Sequence, residues 1–180
     1  MGEKPHILKR HTIAESHIFK LEGLHLRFTN GEERHYERIC GRGSGSVMVI
    51  PFLDDDTLLL IREYGAGVDG YVLGFPKGLI EAGEDLLETA NRELMEEVGY
   101  GAKDLSFLRR VSVSPGYMSS EMDIVLAKDL YPQIEQGDEP EEIEVVKWPL
   151  SKIDALLVHP EFHEARSIAA LLMVARQANV

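Results

Sequence analysis

The stretch from Gly78 to Gly99 constrains the fold more than any other, because it reads as a loop, an amphipathic helix and a stop. Gly78 and Gly83 stand where the backbone takes conformations that other residues resist. Glu84 and Asp85 lie where the helix dipole favours anions, and Gly99 is a natural terminator. The helix is expected to run roughly from Glu84 to Val98. At about 100° per residue, Leu86, Leu87, Ala90, Leu94 and Val98 fall on one arc, which faces a core. Glu93 and Glu97, four residues apart, project within about 20° of Leu86 and so belong at the edge of that buried face. Like charges at this spacing oppose the helix by roughly a few tenths of a kcal/mol, and their desolvation adds to the cost unless a cation lies between them. A divalent metal ion meets that need. Mg²⁺, with Mn²⁺ as its substitute, prefers carboxylate oxygens, waters and substrate phosphates, whereas a single cysteine and no clear histidine triad leave no zinc set. Arg92 is placed to pair with Glu88 one turn earlier and hold the array. A lone glutamate is ordinarily solvated or salt-bridged, and only the full constellation argues for more.

Around this helix the pattern is mostly strands. From Ile18 to Ile39, apolar and polar residues partly alternate on both sides of Thr29-Asn-Gly-Glu32, the strongest short-range hairpin signal. Short apolar runs at 47–51 and 57–61, separated by Asp54-Asp-Asp56, read as two further strands. Others are expected at 71–75, 105–113, 124–127 and 143–148, with helices at 152–157 and 161–175, the last with Pro160 at its start. The order is mixed α/β. Gly41 to Ser46 is the most flexible stretch and is expected to hinge the N-terminal hairpin. One domain is expected over 1–180. Its hairpin region, 1–45, has too few residues to bury itself and is expected to pack on a partner subunit in a homodimer.

Composition narrows the partners. With 44% hydrophobic residues the chain can bury a core, and a net charge of −12 opposes binding to a nucleic-acid polyanion. A small phosphate ester is different, since a few arginines and bound cations can match its charge. The first ten residues lack the apolar core of a secretory signal, and no stretch approaches membrane-spanning length. With Cys40 the one cysteine, a reducing, cytoplasmic setting is expected.

Gly78, five residues, Glu84, seven residues, then Arg92-Glu-Leu-Met-Glu-Glu-Val-Gly99 together resemble the signature box of the Nudix hydrolases. Only Tyr100 departs, where that family usually has an aliphatic residue; the position packs rather than reacts. The resemblance implies an α/β/α sandwich around a mixed sheet, here with an N-terminal β-hairpin extension. It also implies cleavage of nucleoside diphosphates linked to another moiety. By matching positions, Glu93 and Glu97 are the principal metal ligands, Glu96 and the main chain at Lys77 or Gly78 complete the shell, and Arg92 with Glu84 forms a supporting pair.

Ile61-Arg-Glu-Tyr64, Gly74-Phe-Pro-Lys-Gly78, Ser114-Pro-Gly116 and His163-Glu-Ala-Arg166 resemble the ADP-ribose pyrophosphatase branch of that family. Arg62, Glu63 and, less directly, Arg38 are thereby candidate substrate contacts. Pro115, fifteen residues past the box, is the mark associated with ADP-ribose, and Tyr117 that associated with dinucleoside polyphosphates. The implied substrates are ADP-ribose, NADH and diadenosine polyphosphates, each releasing AMP. A general base is expected in the acidic loop 137–142, with Glu139 and Glu141 favoured over Glu142; a solvated acidic loop is the plain alternative. His159 and His163 read as surface or cap residues. Rival readings are a non-hydrolytic nucleotide sensor, a hydrolase of another nucleoside diphosphate sugar, and a hydrolase of capped RNA ends. The retained carboxylates oppose the first, and the net charge opposes the last.

Overall fold

A computed structural model describes residues 2–41, 45–137 and 140–177; most of the expected hinge, residues 42–44, lies outside the described residues. An N-terminal antiparallel sheet comes first, in the order β1 (His6–Glu15), β2 (Phe19–Arg27), β3 (Glu33–Gly41). It has three strands, not the two expected. The segment before Glu15 lacks an apolar run because β1 is exposed along its whole length, so burial wrote no pattern into it. The connection between β2 and β3 turns at Asn30-Gly31, where Gly31 has φ 86° and the Asn30 side chain accepts from the Glu32 amide.

Two sheets form the body. One holds β10 (Glu144–Pro149), β5 (Thr57–Gly65) and β6 (Gly70–Gly74), all antiparallel. The other runs β7 (Lys77–Leu79), β4 (Ser46–Pro51), β9 (Glu121–Pro132), β8 (Tyr100–Ser112), and is mixed because β4 and β9 are parallel. Helix α1 (Leu86–Glu97) precedes β8, while α2 (Ile153–Leu157) and α3 (Ala165–Gln177) close the chain. The two cores follow the period-two alternation of a strand buried on both faces. Val47, Val49, Leu59 and Ile61 pack with Ala90 and Leu94 of α1. Met48, Ile50, Leu58 and Leu60 pack with Ala170, Leu171 and Val174 of α3. The result is the expected α/β/α layering around a mixed sheet.

Several boundaries differ from the sequence expectation. The last helix begins at Ala165, not 161, because Glu164 caps it: its carboxylate accepts from the Arg166 amide at 3.1 Å and the Ser167 amide at 2.8 Å. Strands β8 and β9 are far longer than their apolar runs, since each supplies the other's ladder through polar stretches such as Asp104↔Lys128 and Arg110↔Asp123. Gly78, expected in a loop, lies in β7 opposite Val47.

Candidate active site

Helix α1 starts at Asp85, whose side chain accepts from the Leu87 amide at 2.9 Å, and stops before Gly99, which takes φ 76°. Its wheel falls as the sequence requires: Ala90, Leu94 and Val98 are buried, and so are Glu93 at 7% exposure and Glu97 at 6%. Tyr100 packs against the same core. The helix rests on β4 and β7, which brings the two carboxylates onto the main chain at Lys77 and Gly78.

That contact explains Gly78. Its φ is not left-handed; the demand is for space, since a Cβ there would lie 1.9 Å from Glu93 Cδ and 2.0 and 2.1 Å from the carboxylate oxygens. The neighbouring Lys77 amide donates to Glu97 Oε2 at 2.8 Å, and the Lys77 ammonium pairs with Glu63. Burial pushes Glu97 up to about 8 against the pull of the Lys77 amide and ammonium, and the Glu63 and Glu93 charges add to the rise.

Arg92 holds the array from the other side. Its Nε and Nη2 donate to Glu84 at 2.9 and 3.1 Å, Nη1 lies 2.8 Å from Glu93 and 2.9 Å from Glu96, and Nη2 also reaches the Leu79 carbonyl at 3.2 Å. The Arg92–Glu84 pair implied by the family resemblance is present, whereas the Glu88 partner expected from helical spacing is not: Glu88 is exposed, and Glu84, Glu93 and Glu96 flank the guanidinium. The Arg92 guanidinium, helped by the Glu81 amide, holds Glu84 down at about 2.

A divalent cation fits this donor set. Glu97 is a carboxylate whose charged form burial disfavours unless a further cation compensates it, and a second buried carboxylate lies one turn away. Among the described residues no three acidic, histidine or cysteine side chains gather into a complete cage. A small hard cation that keeps waters and takes oxygens from a bound phosphate needs no such cage.

Strand β7 also forms one wall of a cleft of about 890 Å³, lined by Lys77 and Gly78 and, further along, by Arg110, Asp123, Glu164 and Arg166. Ile18 and Phe19 close it from the N-terminal sheet. Arg110 donates from Nε and Nη2 to the two oxygens of buried Asp123, both at 2.7 Å. Sequence reading missed this pair. No local signal marks it, because Arg110 faces Asp123 only through the β8–β9 pairing register.

The other expected contacts are placed elsewhere. Arg62 gives a bidentate pair to Glu161 at 3.0 and 2.8 Å, stacks 4.4 Å over Tyr71, and does not line the cleft. Glu63 sits beside the carboxylates through Lys77. Arg38 pairs at 2.9 Å with buried Glu22 inside the N-terminal sheet. Pro115 and Tyr117 lie in the turn before β9, where the Tyr117 carbonyl accepts from the Ile39 amide at 2.8 Å while its ring is exposed. Glu141 accepts from the Tyr71 hydroxyl at 2.9 Å, and Glu139 lies outside the described residues. His159 accepts from the Glu161 amide at its turn, as a cap residue does.

Residues 44–171 match the NUDIX domain family, and residues 5–38 match the NudE-type Nudix hydrolase N-terminal domain. The chain is a Nudix hydrolase. Among its relatives, the ADP compounds hydrolase NudE of Escherichia coli (strain K12) is 51% identical, over 96% of this chain and 92% of that protein. An ADP-ribose pyrophosphatase of Bacillus subtilis (strain 168) is 28% identical, over 91% of each chain. A crystal structure of an ADP compounds hydrolase superposes with TM-score 0.91 at 49% identity, covering 99% of this chain and 96% of that one. Nudix hydrolases generally need divalent metal ions, in agreement with the donor set on α1. No helix among the described residues is long and apolar enough to cross a membrane.

Proposed function

We propose that this Nudix hydrolase cleaves the diphosphate linkage of ADP-containing compounds, ADP-ribose, NADH and diadenosine polyphosphates among them, releasing AMP with Mg²⁺ as its metal. The observation that carries the reading is the pair of buried carboxylates, Glu93 and Glu97, set over Gly78 and Lys77 beside an open cleft. The relatives named for ADP compounds and ADP-ribose, together with Pro115 and Tyr117, support the choice of substrate.

Glu93 and Glu97 would hold the metal ion, with Glu96 and the main chain at Lys77 completing its surroundings. When bound, the ion neutralises the diphosphate and lowers the pKa of a water. The chain supplies the rest. Arg92 fixes the carboxylates in place through Glu84 and Glu96. A carboxylate oxygen of Glu139 or Glu141 takes the proton from the attacking water, and Glu141 already stands at the edge of the β5–β6 hairpin through Tyr71. Water adds across the P–O–P bridge, so ADP-ribose yields AMP and ribose 5-phosphate.

The chain acts as one Nudix unit over 1–180, with 1–45 packed on a second copy. Support comes from β1, exposed along all of its length and carrying Ile7, Leu8 and Ile13. Cytoplasmic placement rests on the free Cys40 thiol, which suits a reducing compartment. The direct test is AMP release from ADP-ribose, NADH, diadenosine triphosphate and GDP-mannose, each with Mg²⁺ and with EDTA. Metal-dependent AMP from the adenosine substrates is expected; AMP from none of them refutes the reading.

A further inference from the structure

Four of the seven histidines share one face of the N-terminal sheet, because the ladder sets His6 opposite Arg27, His11 opposite Gly23 and His25 opposite His35. Ile7, on which a second copy is proposed to pack, points to the other face with Leu26 and Tyr36. Within the histidine face two imidazoles meet: His25 and His35 stand directly across β2 and β3, with ring centroids 4.3 Å apart and planes 15° from parallel. His25 Nε2 lies 2.7 Å from one Glu33 oxygen, while the other accepts from Arg27 Nε at 2.9 Å. A carboxylate only accepts, so Nε2 of His25 carries the proton and, in the neutral ring, Nδ1 keeps its lone pair. A third imidazole, His11, lies across β2, where a Cβ on Gly23 would come within 2.3 Å of its Cε1. None of His11, His25, Glu33 and His35 lines the cleft beside α1, so the diphosphate chemistry leaves this group unexplained.

We propose that His25 and His35 bind a divalent cation of the imidazole-preferring class, represented by Zn²⁺, at a site separate from the carboxylates of α1. The bond to Glu33 explains how His25 is oriented, but not why a second imidazole faces it. Two nitrogens on one tetrahedral zinc ion lie about 3.4 Å apart, given Zn–N bonds of about 2.1 Å. The 4.3 Å ring spacing is close to that, and His35 is exposed, so a turn of its ring brings a nitrogen to the ion. Histidines that ligate metals ordinarily donate their other N–H to a carboxylate or carbonyl, and Glu33 fills that part as a positioning residue. Among the described residues no third side chain closes a cage, so water takes the remaining positions. Imidazole nitrogen suits zinc whereas Mg²⁺ takes oxygen, and the two sites therefore select different ions. Bound there, the ion ties β2 to β3.

The test uses the full chain at about pH 8, where free imidazole is neutral, with Mg²⁺ in excess to occupy the carboxylates. Calorimetric titration with Zn²⁺ should show one ion bound by wild type. His25→Gln and His35→Gln change side chains that are not buried and are expected to fold; each should weaken binding at least about 10-fold, whereas His163→Gln, outside the N-terminal sheet, should not. Histidine ¹⁵N spectra should show His25 protonated at Nε2, with Nδ1 shifting as Zn²⁺ is added. In Glu33→Ala both tautomers should appear and the affinity should fall. No Zn²⁺ bound by wild type in excess Mg²⁺, equal binding by wild type and the two sheet variants, or the same loss in all three histidine variants overturns the proposal. A Glu33→Ala spectrum like that of wild type overturns the positioning role. Binding is read without turnover, so the result stands apart from the hydrolase reading.

Discussion

Gly78→Ala isolates the geometry on which the active site depends. The new Cβ would lie 1.9 Å from Glu93 Cδ, where ordinary contact is at least 3.4 Å, so the carboxylate must retreat by about 1.5 Å. A displacement of that order at a reacting centre costs roughly 100-fold in rate, or about 2.7 kcal/mol of transition-state stabilisation. The fold loses less. The obstructed atoms are the end of a flexible side chain, so the penalty is a strained Glu93 and its bond to Arg92, about 1–3 kcal/mol. With Glu93→Ala in the background the sign should reverse. Gly78 lies in a strand without a left-handed φ, where alanine is worth roughly 0.5–1 kcal/mol over glycine. Steady-state AMP release and thermal unfolding of the four proteins give the cycle. A Gly78→Ala enzyme with wild-type kcat/KM, or one equally destabilised with and without Glu93, would refute the argument.

Glu97→Gln should abolish turnover while far-UV circular dichroism and a cooperative melt are retained, because it preserves volume and removes only the carboxylate oxygen that a metal ion would take. In the N-terminal sheet, Lys20 and then Arg38 hold Glu22 down at about 2 against an ordinary value of 4.5. Because the folded value is the lower one, its stabilisation is present above pH 4.5 and is lost as pH falls toward 2. The difference in Tm between wild type and Glu22→Gln should therefore shrink over that window, and a constant difference would show that Glu22 does not titrate as described. Sedimentation should give a dimer, with Ile13→Glu shifting the population toward monomer; a wild-type monomer at micromolar concentration would remove the proposed role of β1.

What was legible in the sequence followed burial. The α1 wheel and the runs at 47–51 and 57–61 were readable because two packed layers impose period 3.6 on the helix and apolar runs on the strands. β1 was invisible because none of its residues is buried, and the polar ends of β8 and β9 were invisible because only their mutual pairing makes them strands. Spacing placed Glu93 and Glu97 correctly at the buried edge. It gave Arg92 the wrong partner, since Glu84 lies outside the helical wheel and reaches Arg92 only through the turn before Asp85. Local pattern presents Gly78 as a backbone requirement, whereas its reason is a carboxylate from another element. Contacts of that kind are set by how α1 lies on β7, which no local pattern records.

The most direct measurement is the binding of Mn²⁺, followed by electron paramagnetic resonance, in wild type and Glu97→Gln at equal protein concentration. The account predicts that wild type removes the free-ion signal saturably and that Glu97→Gln binds at least about 10-fold more weakly with its melt intact. Equal binding by the two proteins would contradict the assignment of Glu97 as a metal ligand.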